Sequence, residues 1–215
     1  MPVTFLDDDL WFPPLSDAEP DGLLAAGGDL STQRLLLAYH NGIFPWFNED
    51  EIPLWWSPDP RFVLFPGELK VSKSMQQIIK KQPFDFKINT AFEEVIHSCR
   101  GIHRRDMNGT WITAEIANAY IQMHHLGYAH SAEAWQNGTL VGGLYGIKLG
   151  NVFFGESMFS KASNASKYAF ICWVQYLQAQ GVQLIDCQVH TSHLESLGAR
   201  MVSRENFINM LDRYI

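Results

Sequence analysis

No run of apolar residues in this chain approaches the roughly 20 that a membrane-spanning helix needs. The first residues, MPVTFLDDDLWFPP, put acids and prolines where a secretory leader has basic residues and an apolar stretch, so a cytoplasmic protein with no membrane association is expected. Cysteine is scarce. Cys99, Cys172 and Cys187 are odd in number and widely spaced, which gives no disulfide framework and fits a reducing compartment. Basic residues are outnumbered, and the net charge of −7 excludes a protein that coats nucleic acid through its whole surface, though not one with a local basic patch. The chain also lacks a Walker loop, a dinucleotide fingerprint and a Gly-x-Ser-x-Gly elbow. His190 and His193 beside Cys187, and His124, His125 and His130, are too loosely spaced for a zinc site, so no metal is expected.

What is present is a globular composition: 47% apolar content over 215 residues supports a sizeable core in one domain or two. Residues 1–61 read as a small loop-rich domain, punctuated by FPP, GLLAAGGDLS, GIFPWF and LWWSPDPR. One helix is clear there, capped by Ser31 or Thr32, running to about residue 40 and closed by Gly42. Trp46, Trp55 and Trp56 either pack this segment onto the rest of the chain or stack on a nucleobase, a contact worth about 1–3 kcal/mol.

Residues 62–215 read as an ordinary α/β domain. A strand over 62–65 precedes a helix over 72–81, which with its flank carries Lys70, Lys73, Lys80 and Lys81. This densest basic cluster is either a solvated face or a phosphate contact, with Arg104 and Arg105 as further candidates. A strand over 84–88 and helices over 91–99 and 114–126 follow, the last capped by Thr113 with Tyr120 on its apolar face. Strands over 128–136, 139–149 and 151–158 are separated by Asn137-Gly138 and Gly150-Asn151, which predicts an antiparallel meander. A helix over 164–180, a strand over 184–189 and helices over 193–197 and 204–211 complete the chain. Meander, helix, strand is the order of the GNAT-like N-acyltransferase fold, an α+β architecture with a mainly antiparallel sheet. Enzymes of that fold that use coenzyme A carry a Gly-rich loop before the helix. Here no glycine falls between Ser157 and Lys167, so coenzyme A is not the expected donor.

Two stretches carry the chemistry. Residues 152–167, VFFGESMFSKASNASK, place Glu156 in an aromatic strand, where a buried carboxylate needs a partner or a purpose. Alternation along 184–189, LIDCQV, puts Asp186 and Gln188 on one face and Ile185, Cys187 and Val189 on the other. The polar pair either forms a site or bonds to backbone and positions a turn, and spacing alone leaves both open.

The ordered set GLLAAGGDLS, AYHNGIFPWF, WWSPDPR, GTWI, HHLGYAHSAE, LVGGLYG, FFGESMFS with NASK, LIDCQV and HLESLGA resembles the leucyl/phenylalanyl-tRNA–protein transferase family across nearly the whole chain. The resemblance implies a bacterial, cytoplasmic, monomeric enzyme that moves Leu or Phe from its tRNA onto an N-terminal Arg or Lys, marking the product for N-end rule degradation. An aminoacyl ester is already activated, so no cofactor is expected. By the same resemblance Glu156, Asp186 and Gln188 are the catalytic residues, with Asp186 orienting Gln188; Trp46, Trp111, Tyr39 and Tyr120 surround the terminal adenosine. The donor side chain needs an apolar pocket, for which Leu144, Phe153, Phe170, Trp173, Leu177 and Ile185 are the candidates. The family has Met, Leu, Phe and Phe where this chain has Leu144, Phe170, Trp173 and Leu177, which bears on Leu against Phe preference. Lys70, Lys73, Lys80 and Lys81, with Arg104 and Arg105, would contact the acceptor stem. The rival readings are a coenzyme A-dependent acetyltransferase and a non-catalytic RNA-binding module.

Overall fold

The computed structural model describes residues 3–101 and 112–215, which form two β-sheets with helices around them. The Gly- and Pro-punctuated start gives only short strands: β1 (Thr4–Leu6), β2 (Leu23–Gly27), β3 (Phe44–Pro45) and β4 (Leu54–Trp56), in the order β1-β2-β4-β3. Between β2 and β3 lies α1 (Thr32–His40), which starts where the Ser31 hydroxyl accepts the Arg34 amide and buries Leu35, Ala38 and Tyr39. Gly42 ends it at φ 68°, pressed so closely on Phe207 and Ile208 that a Cβ there would stand 2.7 Å from the Ile208 side chain. Trp55 is core: its ring is fully buried against Phe12, and its indole N–H donates to the Gly27 carbonyl at 2.9 Å. The indole of Trp56 donates to the Trp46 carbonyl at 2.7 Å and pins a turn on which the Trp46 ring stays 37% exposed.

The larger sheet has seven strands: β5 (Arg61–Leu64), β6 (Asp85–Ile88), β7 (Ala129–Gln136), β8 (Thr139–Leu149), β9 (Val152–Ser160), β10 (Leu184–Asp186) and β11 (Arg200–Val202). They run in the order β11-β5-β10-β9-β8-β7-β6, antiparallel throughout except for β9 beside β10. The helices are α2 (Lys73–Lys81), α3 (Phe92–Arg100), α4 (Ala114–His125), α5 (Ala165–Ala179), α6 (Ser192–Ser196) and α7 (Arg204–Tyr214). At the β7–β8 turn Asn137 and Gly138 both take positive φ, 51° and 75°, the hairpin geometry that Asn-Gly favours. Alternate residues then feed two cores. Leu144, Phe153 and Ile185 pack with Phe170, Trp173 and Leu177 of α5, while Tyr145 and Phe154 pack with Tyr39, Tyr120 and Phe207. The meander, the crossover through α5 and the return of β10 parallel to β9 give the α+β, GNAT-like arrangement. Among the described residues no helix is long and apolar enough to cross a membrane.

One expected strand is shorter than its pattern. Residues 184–189 leave the sheet at Asp186, because the Asp186 carboxylate accepts the Gln188 amide at 2.9 Å and folds the chain into a turn with Gln188 at φ 63°. β9 continues to Ser160, so the parallel pair separates where β10 ends.

Glu133, on β7, is wholly buried and caps α3 from outside that helix. Its carboxylate accepts the amides of Thr90 and Ala91, each at 2.9 Å, the hydroxyls of Thr90 and Ser131 and the Trp135 indole, whereas the cap residue Ala91 has no side-chain bond to offer. Burial pushes this carboxyl up, but the donors outweigh it and hold it below its ordinary value of 4.5. Glu133→Gln is expected to lose about 1–2 kcal/mol of stability at pH 7. Since the folded value is depressed, the gap to wild type should close as pH falls below 4.5. Urea melts at the two pH values check both, and equal midpoints at pH 7 would remove Glu133 from the capping role.

Candidate active site

Glu156 sits at an irregularity that alternation could not disclose. Tyr145 pairs with Ser157 and Gly146 with Gly155, so Glu156 is an extra residue of β9, bulged out of the ladder. Gly146 permits it, since a Cβ there would collide with the Phe154 carbonyl oxygen. The bulge sends the Glu156 carboxylate into the protein. Its Oε1 accepts the Tyr39 hydroxyl at 2.8 Å and the Gln188 amide Nε2 at 3.0 Å, and its Oε2 meets the Tyr120 hydroxyl at 3.0 Å.

The two tyrosine hydroxyls also lie 2.5 Å from each other, which closes a triangle of three oxygen–oxygen contacts. Two hydroxyls bring two protons to three contacts, so the triangle is complete only when the carboxyl contributes a third. The electrostatics agree. Burial raises Glu156 to about 7 against the lowering pull of both tyrosines, with Asp186 raising it further and Arg61 lowering it. Burial, followed by the Glu156 charge, puts both tyrosines well above 10. Tyr39 and Tyr120 are fully buried behind Glu156 with their hydroxyls on its carboxylate, so neither ring offers a stacking face.

Asp186 is fully buried and forked onto Arg61 of β5, with Nε to Oδ1 at 2.8 Å and Nη2 to Oδ2 at 2.6 Å. The guanidinium donates its remaining nitrogen, Nη1, to the Gly42 carbonyl at 3.1 Å and lies between the Phe44 and Phe207 rings, 4.7 Å from each centroid. Asp186 therefore reaches Gln188 through the backbone amide and not, as a shared strand face implies, through the side chain. With Nε2 committed to Glu156, the Gln188 carboxamide is left with its oxygen as the free acceptor end.

Where β9 and β10 separate, a cavity of about 450 Å³ opens. Phe44, Pro45 and Trp46 form one wall, Glu156 to Met158 and Asp186 to Val189 the polar side, Leu144, Phe153, Phe170 and Ile185 the apolar floor, and Thr191, His193 and Leu194 the rim. The structure thus brings together Trp46, the three polar candidates and four of the six pocket candidates. Trp173 and Leu177 do not line it: the Trp173 ring stands edge-on behind Phe153 at 5.3 Å, and Leu177 is buried in the core under α5. The inward face of a helix packed on a sheet is wider than the part that borders the cavity. Lys70, Lys73, Lys80 and Lys81 are exposed on and beside α2, apart from the cavity lining. Trp111, Arg104 and Arg105 lie outside the described residues.

Sequence reasoning missed Arg61, although its signal was present in a cation opening the apolar run RFVLF. It also missed Thr191, Leu194 and Met158, and it weighed His193 only as a metal ligand and not as part of the cavity rim. Cys187 lines the cavity, but burial pushes its thiol far up and leaves no thiolate to act as a nucleophile. Burial lowers His193, with the Lys167 charge adding to it, so the imidazole is neutral at pH 7. The site is an apolar floor joined to an oriented amide acceptor, with Asp186 neutralised by Arg61 and Glu156 raised by burial to about 7. It suits alignment of a neutral nucleophile on an already activated carbonyl.

The family profile described as leucyl/phenylalanyl-tRNA protein transferase matches residues 63–212, and that of its N-terminal domain matches residues 28–59. A leucyl/phenylalanyl-tRNA–protein transferase of Flavobacterium johnsoniae is 56% identical over 207 residues, covering 96% of this chain and 98% of its own. Proteins of the same name from Syntrophobacter fumaroxidans and Chromobacterium violaceum are 54% and 52% identical over 211 residues each, covering 98% and 97% of this chain and 90% of their own.

Proposed function

The chain belongs to the leucyl/phenylalanyl-tRNA protein transferase family, an aminoacyltransferase that moves Leu or Phe from tRNA to a protein N-terminus, and we propose that its acceptors begin with Arg or Lys and that transfer occurs in the cavity between β9 and β10. The product then enters N-end rule degradation in the cytoplasm, and the enzyme works as a monomer. The observation that carries the placement is the Gln188 amide, tethered through Nε2 to Glu156 so that its oxygen is free beside an apolar floor.

An α-amino group titrates near 8, so an appreciable fraction is a neutral nucleophile at pH 7. Its nitrogen attacks the ester carbonyl, the C–N bond forms, the C–O bond to the ribose breaks, and the amine's proton ends on the released ribose oxygen, directly or through water. The Gln188 oxygen accepts an amine N–H and aims the lone pair; a carboxamide is too weak a base to take the proton itself. The donor side chain lies against Leu144, Phe153, Phe170 and Ile185, with Trp173 and Leu177 supporting that floor from behind. A methylene in such a pocket is worth about 1–3 kcal/mol, so its shape sets the choice between Leu and Phe. The Trp46 ring, exposed at the rim, stacks on the terminal adenine, and Trp111 is assigned to the same region. In this reading residues 1–61 form the nucleotide-facing domain and residues 62–215 the catalytic one.

The test is to mix the protein with Phe-tRNA or Leu-tRNA and an Arg-starting peptide, without nucleotide or added metal. Peptide extended by one residue is the expected product; acetylation from acetyl coenzyme A in place of transfer would overturn the reading in favour of an acetyltransferase. The exposed lysines Lys70, Lys73, Lys80 and Lys81 bind the acceptor stem by charge. Replacing all four with Gln should weaken tRNA binding and flatten its salt dependence, by about 0.7–0.9 log–log slope units for each phosphate that a lysine no longer neutralises. An unchanged slope removes this cluster from the interface.

A further inference from the structure

We propose that Arg61 is a positioning residue for the transfer reaction, acting through Asp186 on the backbone of Gln188, an inference that rests on the reading of Gln188 given above. A buried ion pair is poor evidence of a stabilising role, because a well-packed apolar pair of similar volume does as well or better. What marks this one is where its bonds go. Arg61 occupies both oxygens of Asp186, at 2.8 and 2.6 Å, and so fixes the carboxylate plane. The Oδ1 atom of that carboxylate also accepts the Gln188 amide at 2.9 Å. Gln188 is held at φ 63°, which a non-glycine residue seldom adopts unless its surroundings enforce it. The Gln188 carbonyl accepts the amide of Phe62, the residue after Arg61, at 3.3 Å. One residue of β5 thus holds the turn by its side chain and the next holds it by its backbone.

The guanidinium is itself held on every side. Gly42 supplies its carbonyl at 3.1 Å, and the rings of Phe44 and Phe207 sandwich it at 4.7 Å each. Phe44 is also a wall of the cavity. Its planar fork serves all these partners at once, which the single ammonium of lysine does not do. The chain of contacts runs from Gly42 and Phe207 through Arg61 and Asp186 to Gln188, and Arg61 itself lies outside the cavity lining, so it acts on substrate only through that chain.

The variants Arg61→Lys and Arg61→Met are assayed with Phe-tRNA and an Arg-starting peptide, with kcat corrected for the folded fraction from thermal melts. Displacement of an aligning group by about 1 Å costs on the order of 100-fold, so that drop in kcat per folded molecule is expected for Arg61→Met, with Arg61→Lys intermediate. KM for Phe-tRNA should hold, because the donor contacts on the cavity floor do not run through Arg61. Glu133→Gln, destabilised at a residue outside the cavity lining, is the control and should keep its kcat per folded molecule. Wild-type kcat in folded Arg61→Met, or an equal loss in the control, would show a structural role only and overturn the proposal. The amide resonance of Gln188 in an ¹H–¹⁵N spectrum of Arg61→Lys tests positioning without any turnover. A clear shift is expected, and an unmoved resonance overturns the proposal. Absence of transfer by the wild type would instead refute the functional reading while leaving this measurement intact.

Discussion

Replacing Gln188 with alanine is expected to lower kcat by about 100-fold or more while changing stability by less than about 1 kcal/mol. The two effects separate because the side chain does little for the fold. Its side-chain partner among the described residues is Glu156, whose Oε1 keeps the Tyr39 hydroxyl when the amide is gone, and the turn itself is held through the Gln188 backbone by Asp186 and Phe62. Gln188→Glu discriminates the mechanism. If a base at this position limited the rate, a carboxylate should speed transfer. The geometry argues the opposite: the new carboxyl would face Glu156 across the present 3.0 Å contact, the two would share one proton, and the oriented acceptor oxygen would be lost. Gln188→Glu should therefore be no faster than Gln188→Ala. A single-turnover rate above wild type, measured with preformed Phe-tRNA, would refute the aligning role and restore general base catalysis.

The fold was legible where local chemistry decides it. Ser31, Ser72, Thr113 and Ser203 cap their helices through their own side chains, and Asn137-Gly138 sets the meander, so those elements follow from short-range rules. The site was legible in composition but not in geometry. Glu156, Asp186 and Gln188 stood out as polar groups in apolar stretches, yet period-two alternation assumes a regular ladder, and two departures from it build the site. Glu156 is a bulge made possible by Gly146, a glycine of β8, the neighbouring strand, and β10 stops at Asp186 because a side chain captures the following backbone. Neither is visible along one strand. The partner of Asp186 lies 125 residues earlier in the chain, and that of Glu156 includes Tyr39, 117 residues earlier, so long-range pairing hid what the charges were for. Helical spacing marked Tyr120 as core, which it is; the same position lets its hydroxyl donate to the Glu156 carboxyl.

Glu156→Gln is expected to stabilise the protein above neutral pH by up to about 3 kcal/mol. The folded carboxyl is raised to about 7 from an ordinary 4.5, so between those values the folded state holds a proton that the unfolded state has lost. Stability attributable to this group is therefore undiminished below pH 4.5, falls as pH rises through the window, and carries its full penalty above 7. Glutamine reproduces the protonated triangle. Its Oε1 accepts the Tyr39 hydroxyl and the Gln188 amide, its Nε2 donates to the Tyr120 oxygen, and the Tyr120 hydroxyl donates to Tyr39, so each contact has its proton at any pH. The groups around the carboxyl are those two tyrosines, both held well above 10, Gln188 and the Asp186–Arg61 pair. Denaturant melts at pH 4 and pH 8 should give matching curves at the lower value and a more stable variant at the higher; parallel loss of stability in both proteins would refute the three-proton triangle. The same variant tests acceptor recognition. Arg61 already neutralises Asp186, which leaves Glu156, among the described residues, as the one uncompensated acid on the cavity wall for a cationic acceptor residue. A cationic residue there would favour the ionised form of Glu156, so preference for an Arg-starting over a citrulline-starting peptide should weaken in Glu156→Gln and, in wild type, should grow from pH 6 to pH 8. An unaltered preference in the variant would assign recognition of the acceptor's charge to some other group.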